Sequence, residues 1–502
     1  MSTPSRRRGR AAIAAAAAAT GVAAWLACAG TAGAVTYSGT YAIRNARVID
    51  GTGAPATEHV TVLIDGDRIT RIGHDLDVGD RQVLDATGLT LLPGLIDSHV
   101  HLNSVPGAML RKDPRELYER LRRTELPAYV AAGVTTVLDA ATPKDFLAWA
   151  REQIAASGAG PDILMLAPFL TPAGGYFGDA RMRGEAFDEL WEPIDSPERL
   201  VAELDAARGV PGVVGTKVTM EKGFGPFDVW PVFDSTMRAR IREEAGARGL
   251  PIFVHSMSDP EHQLALDLAP KVMVHAGYQD DAPSADTLAR MRDERVAVIS
   301  TLSVTDQFLI KSEPSRLDDP ILRLVTPPLE IGGARDAAAW DQIGLATAEL
   351  SVPSWVPGFV PRLSTRFYLS DWMLRRRVAL AKNGLRAIRD AGIPILMGTD
   401  SGCWPVFTAL FHGFTSLREV ELLGEAGLTP MEAILASTSV PARVLGVDGD
   451  VGTVAVGKRA NLLLVKGNPL ADLATIRNVT WTVKAGVART PQDWMASAGA
   501  MP

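Results

Sequence analysis

Past the first few dozen residues, apolar and polar positions alternate with a period of two in "YAIRNARVID", "HVTVLIDGDRITRIG" and "QVLDATGLTLLP", which predicts short β-strands. The turn "GTGAP" and the pair Asp65-Gly66 mark connections between them, Gly supplying the left-handed backbone that tight hairpins need. The same texture returns near the other end, in "GTVAVGKRANLLLVKGN" and "VTWTVKAGVAR". Residues 37–92 and 441–492 are therefore expected to pair into one small β-sandwich domain outside the main fold.

Between these ends the pattern changes. Eight apolar runs, "LLPGLIDSHVHL", "GVTTVLDAA", "DILMLAPFL", "VVGTKVTM", "PIFVHSM", "KVMVHAG", "AVISTLS" and "IPILMGTDSG", alternate with helical stretches. "SPERLVAELDAARG", "TMRARIREEAGARG" and "RRRVALAKNGLRAIRDAG" have helical spacing and end in Gly, as crossover helices do. Eight strand–helix units over residues 93–440 predict an α/β fold, a (β/α)8 TIM barrel, with chemistry at the C-terminal ends of its strands.

A 502-residue chain with 47% hydrophobic content can bury a core of that size. Its net charge of -7, with no basic run beyond the N-terminus and "RRR" at 375–377, argues against nucleic acid as a partner. Residues 1–34 have a basic start, an Ala-rich middle and the small-residue pattern Ala32-Gly33-Ala34, the composition of an export signal peptide cut after Ala34. The Arg6-Arg7 pair suits the twin-arginine route, so a secreted or cell-envelope location is expected. An uncut anchor and lipidation at Cys28 are the competing readings, the second disfavoured by Trp25. No stable membrane partner is expected of the rest, and a homo-oligomer is compatible with it. Cleavage would leave a charge of -11 and one cysteine, Cys403, hence no internal disulfide.

The chemistry begins at "LLPGLIDSHVHLNS", where Asp97, His99 and His101 share one face of a strand because alternate side chains point the same way. Lys217, His255, His275 and Asp400 lie at or near the ends of strands four, five, six and eight. Four of the eight histidines thus fall at barrel strand ends, where metal ligands gather. His59 and His74, in the β domain, and His262, on a helix, read as structural, and His412, after strand eight, as a substrate contact. Cys403 has no evident activating partner and is not read as a nucleophile.

The ordered set resembles the amidohydrolase superfamily: His-x-His after strand one, Lys on strand four, His on strands five and six, Asp on strand eight. "VIDGTG", "LDATGLTLLPGLIDSHVHL", "AGVTTVLD", "GLTPMEAILASTSVPARVLG" and "GTVAVGKRANLLLVKGNPL" extend the likeness from residue 41 to 489. Within the superfamily the chain is most similar to the imidazolonepropionase-like and prolidase-like (Xaa-Pro dipeptidase-type) branch. The resemblance implies that His99, His101 and Asp400 hold one divalent metal, His255 and His275 a second, and Lys217, carboxylated by CO2 to a carbamate, bridges them. Zinc is the first expectation for such ligands.

It also implies hydrolysis of a small-molecule amide, a dipeptide or N-acyl amino acid, by a hydroxide between the metals, with Asp400 passing the proton to the leaving nitrogen. Lactone or ester hydrolysis by the same site, and an inactive barrel kept for binding, are the alternatives; no ligand is missing, which disfavours the last. Three positions depart from the branch. "PAGGYFGD" puts Tyr176 where Gly-Gly-His is common, making Tyr176 a substrate-facing candidate; Asn461 replaces an Asp in "RANLLLV"; and Lys217 argues against imidazolonepropionase activity. The long stretch 313–372, rich in Pro and aromatics, is expected to shape the pocket, with Arg362 and Arg366 as candidates to grip a substrate carboxylate.

Overall fold

The computed structural model describes residues 36–102, 114–140, 144–177, 193–225, 227–277, 279, 282–402, 409–497 and 499. The export signal, Cys28 and Cys403 lie outside them.

Strands β1 (Thr40–Val48), β2 (Thr57–Asp65), β3 (Arg68–Gly73), β4 (Gln82–Asp85) and β5 (Leu89–Pro93) form the first part of one sheet. The chain comes back to it as β14 (Leu462–Lys466), β15 (Val479–Lys484) and β16 (Val487–Arg489). The order is β16-β15-β14-β5-β1-β2-β3, with β4 beside β1, and the two ends of the chain are stitched together where β14 runs antiparallel to β5, Leu464 opposite Leu91. Tyr41, Ile43, Val62, Ile64, Leu462, Leu464 and Val483 give this sheet its own core, as the matching alternation at both ends predicts.

The second sheet is the barrel: β6 (Leu95–Val100), β7 (Val134–Asp139), β8 (Asp162–Leu170), β9 (Val213–Thr219), β10 (Ile252–His255), β11 (Val272–Val274), β12 (Ala297–Ile299) and β13 (Ile395–Leu396), each parallel to the next. Every residue of β6 and β7 is buried, which is why these strands read as continuous apolar runs. The first and eighth strands meet through Ser98 N–H to Met397 O (2.9 Å), Asp400 N–H to His99 O (2.8 Å) and His101 N–H to Ser401 O (2.8 Å). Barrel closure and placement of three candidate ligands are thus the same set of hydrogen bonds.

Crossover helices include α1 (Pro197–Arg208), capped by Ser196, α2 (Ser235–Ala247), capped by Asp234, and α3 (Asp259–Leu266). The long stretch 313–372 is mostly helical: Pro320–Val325, Pro328–Arg335, α4 (Ala337–Leu350) and α5 (Phe359–Tyr368) precede α6 (Asp371–Asp390). Pro320 and Pro328 occupy first helical turns, where no N–H is needed, so these prolines start helices.

Candidate metal centre

His99 is the penultimate residue of β6 and fully buried, and His101 follows the strand, half-buried. Asp97 shares their face but does not join them. Its carboxylate accepts from His99 N (3.2 Å), Thr399 N (3.1 Å), Thr399 Oγ1 (2.8 Å) and Ser416 Oγ (2.7 Å). It therefore clamps β6 to the segment that carries Asp400. Burial pushes Asp97 up to about 6, against the pull of Ser416 and Thr399.

Asp400 Oδ1 lies 3.0 Å from His99 Nε2 and 3.0 Å from His101 Nε2, yet neither contact has hydrogen-bond geometry. Gly398 permits this approach: a Cβ there would lie 2.9 Å from His99 Cβ and 2.4 Å from Ile299 Cγ2. Burial, reinforced by the Lys217 charge, pushes His99 down to about 3, so its ring is neutral. Burial would raise Asp400, but the approach of His101 and His99 holds it well below the usual carboxylate range.

On the opposite wall, His255 Nδ1 is 2.9 Å from His275 Nε2. The far nitrogens are both engaged: His255 Nε2 lies 3.2 Å from Glu221 Oε2, and His275 Nδ1 lies 2.7 Å from Thr301 Oγ1. With those nitrogens carrying the protons, two lone pairs face each other across the gap. Burial pushes both imidazoles well below their ordinary value, which keeps them neutral. Lys217, 2% exposed, reaches between the two groups, its Nζ 3.2 Å from His99 Nε2.

Three residues here hold left-handed backbone without being Gly: His275 (φ 75°), Thr301 (φ 47°) and Asp400 (φ 62°). Each costs about 1–3 kcal/mol, a strain characteristic of sites whose surroundings fix the geometry. Glu419 fixes part of it, accepting from Ser300 Oγ (2.6 Å), Leu302 N (2.8 Å) and Ser303 N (2.8 Å) and so holding the turn at Thr301.

The structure brings together His99, His101, Lys217, His255, His275 and Asp400. Tyr176 stacks on His255 with ring centroids 4.8 Å apart, in an aromatic wall with Phe177, Phe224 and Trp230. His412 is buried against Tyr129, Nδ1 to the hydroxyl 2.9 Å, and supports the turn at Gly402, where a Cβ would come within 2.5 Å of its ring. Arg362 and Arg366 lie exposed on α5. Glu221, Thr301 and Glu419 were not singled out by sequence reasoning. Glu221 is fully buried, and burial, reinforced by Glu261, pushes it well above the usual carboxylate range. Its ionised form calls for a nearby cation.

The donor set fits a cation. Two donors about 2.0–2.1 Å from a tetrahedral zinc stand roughly 3.3 Å apart. The contacts of 3.0 Å within the His99, His101 and Asp400 group and of 2.9 Å between His255 and His275 approach that spacing, and the neutral ring of His99 beside an ionised Asp400 brings a lone pair and a negative charge to one point.

Residues 90–321 and 337–489 match the amidohydrolase family. Dihydroorotases of Streptococcus thermophilus and Lactococcus lactis are 38% identical over 96 residues and 32% identical over 108, the first match covering 19% of this chain and 20% of that protein, the second 22% and 23%. The matches span about a fifth of these relatives. Among solved structures, a Xaa-Pro dipeptidase with methionine bound in its active site superposes with a TM-score of 0.66 at 20% identity, over 90% of this chain and 100% of that one. A molinate hydrolase gives 0.64 at 19%, over 93% and 98%, and A. niger ochratoxinase 0.62 at 16%, over 89% and 95%. These likenesses show the shared fold.

Proposed function

The chain belongs to the amidohydrolase family, hydrolases of carbon–nitrogen bonds, and from that premise we propose that it is a binuclear metal-dependent enzyme cleaving dipeptides or N-acyl amino acids. The observation that carries the reading is the meeting of His99, His101 and Asp400 on one wall with His255 and His275 on the other. The first three would hold one divalent cation and the two histidines a second, zinc being the best match to nitrogen-rich ligation. Lys217, whose Nζ lies 3.2 Å from His99 Nε2, would support the pair as a carbamate: an ammonium cannot ligate a cation, whereas a carbamate offers two oxygens and a negative charge.

When bound, the cations supply a hydroxide nucleophile at neutral pH and polarise the scissile carbonyl. Asp400 takes the proton from the attacking oxygen and delivers it to the leaving nitrogen. Glu221 and Thr301 orient His255 and His275 through their far nitrogens. The wall of Tyr176, Phe224 and Trp230 excludes water and favours a substrate with an apolar group beside His255. Export through residues 1–34 would place this activity in the envelope or outside the cell.

Metal analysis of the purified protein, followed by assay against dipeptides, N-acyl amino acids and esters with matching acyl groups, tests the reading. Close to two divalent metals per chain, and amide hydrolysis that a chelator abolishes and added metal restores, are expected. Full activity without metal, or turnover of the esters alone, overturns it.

A further inference from the structure

Ten large apolar side chains are exposed among the described residues, and six of them lie between 355 and 372: Trp355, Phe359, Val360, Leu363, Phe367 and Trp372. Helix α5 is the centre of this patch and is inverted, Pro361 being its buried residue. At about 100° per residue, Phe359, Leu363 and Phe367 form one outward stripe, with Val360 along one flank and Arg362 and Arg366 along the other. Exposure runs from 38% at Val360, on the flank, to 79% at Trp355, and the stripe residues Phe359, Leu363 and Phe367 are all above half exposed. An amphipathic surface helix ordinarily turns its apolar stripe to the core, and a contiguous apolar patch facing water marks a contact surface.

Charge decides what covers it. Residues 355–377 carry five arginines and one acid, Asp371, in a chain of net charge -7. Arg375 is paired with Asp371 and Glu313 (2.8 Å each), and Arg377 packs over Tyr368. Arg376 lies over Trp372, and among the described residues neither it nor Arg362 nor Arg366 makes an ion pair. A second copy docked about a two-fold axis would bring the arginine flank against its own image when the helices run antiparallel and against the apolar Val360 flank when they run parallel, and the single acid of the stretch, Asp371, is already paired with Arg375. An anionic phospholipid surface meets both demands, apolar and electrostatic, with tryptophans where the headgroups lie.

We propose that α5, with Trp355 and Trp372, docks the protein reversibly on an anionic bilayer surface, the Phe359–Leu363–Phe367 stripe entering the headgroup boundary and Arg362, Arg366 and Arg376 meeting lipid phosphates. No helix of the described residues is long and apolar enough to cross a membrane, so the contact lies on the surface. Each arginine contributes roughly fivefold to partitioning near an anionic leaflet, so the three together favour anionic over zwitterionic vesicles by roughly 100-fold, an advantage that salt removes.

The test uses the full chain, whose N-terminal segment is the same in every variant, with vesicles of phosphatidylglycerol and phosphatidylcholine or of phosphatidylcholine alone. Bromine-labelled phosphatidylglycerol should quench tryptophan emission, and Trp355→Phe with Trp372→Phe should remove the quenched component. Leu363→Ser with Phe367→Ser should lower partitioning by about tenfold or more while leaving the thermal midpoint within a few degrees, since both side chains already face water. Absence of quenching, quenching unchanged in the double Trp variant, or partitioning unchanged by the Ser substitutions overturns the proposal. A dimer that becomes a monomer on the Ser substitutions without vesicles assigns the face to a second copy and overturns it as well.

Discussion

His275 Nε2 faces His255 Nδ1 at 2.9 Å, while the other nitrogen of each ring is held by Thr301 and Glu221. With Glu221 and Thr301 taking the far N–H groups, the two neutral rings would face each other lone pair to lone pair across the gap. A cation between them, as proposed above, would make that arrangement favourable, and three consequences for the site and one for stability can be measured.

Glu221→Leu should weaken metal binding at the His255 and His275 pair by about 10–100-fold, because the ring of His255 loses the acceptor that sets its tautomer and orientation. Glu221→Gln keeps an oxygen acceptor and should retain most of the affinity. Competition with a chromogenic chelator reads both. Equal affinity in the Leu variant would remove Glu221 from the site's support.

If Lys217 carries the proposed carbamate, Lys217→Ala should lose one or both of the proposed metals, and small carboxylic acids in excess should restore part of the activity by standing in for the carbamate oxygens. Lys217→Arg should not help, since a guanidinium brings fixed positive charge toward two cations. Two metals and normal turnover in the Arg variant would exclude the bridge.

Asp400→Asn should keep part of the metal, because an amide oxygen still ligates, and lose about 10²–10⁴ in turnover, because it cannot carry the proton. Single-turnover rates alongside metal content separate the two effects. Undiminished turnover would assign the proton to another group.

Acid sensitivity should have a component from His262. Burial pushes this ring down to about 4, against the charge of Asp259, and its Nδ1 lies 2.8 Å from Ser256 Oγ. The unfolded chain takes up the proton near pH 6.5 and the folded chain only near 4, so between them the unfolded state binds more protons. Stability is full above 6.5 and falls by about 3 kcal/mol from this group as pH drops to 4. Urea unfolding of wild type and His262→Gln at pH 7 and pH 4.5 isolates the contribution as a difference in slope, and parallel losses would refute it.

The barrel and the six ligand-type residues were legible because strand-end positions follow from period and order: His99 and His101 share one face, His255, His275 and Asp400 follow apolar runs, and Lys217 lies two residues before the end of its own. Glu221 was not legible. In "TMEKGFG" it reads as one charge in a polar turn, and its role appears only when β9 and β10 bring it to a histidine 34 residues away. Glu419 reaches Ser300 across 119 positions, and no local pattern encodes that distance. Arg362 and Arg366 were singled out by charge and loop length, but the direction they point depends on an inverted helix, and periodicity gives a stripe without saying which side is core.

The left-handed backbones of His275, Thr301 and Asp400 set heat resistance and turnover against each other. A glycine at any of the three would adopt the same φ without the steric penalty, yet it would delete a candidate ligand or the hydroxyl that aims one. Directed evolution for thermostability alone would be drawn toward these positions and would end with a sturdier barrel that lacks a candidate ligand or the hydroxyl that aims one. Recovering both properties at once requires selection to act elsewhere in the chain, where relief of strain leaves no donor missing.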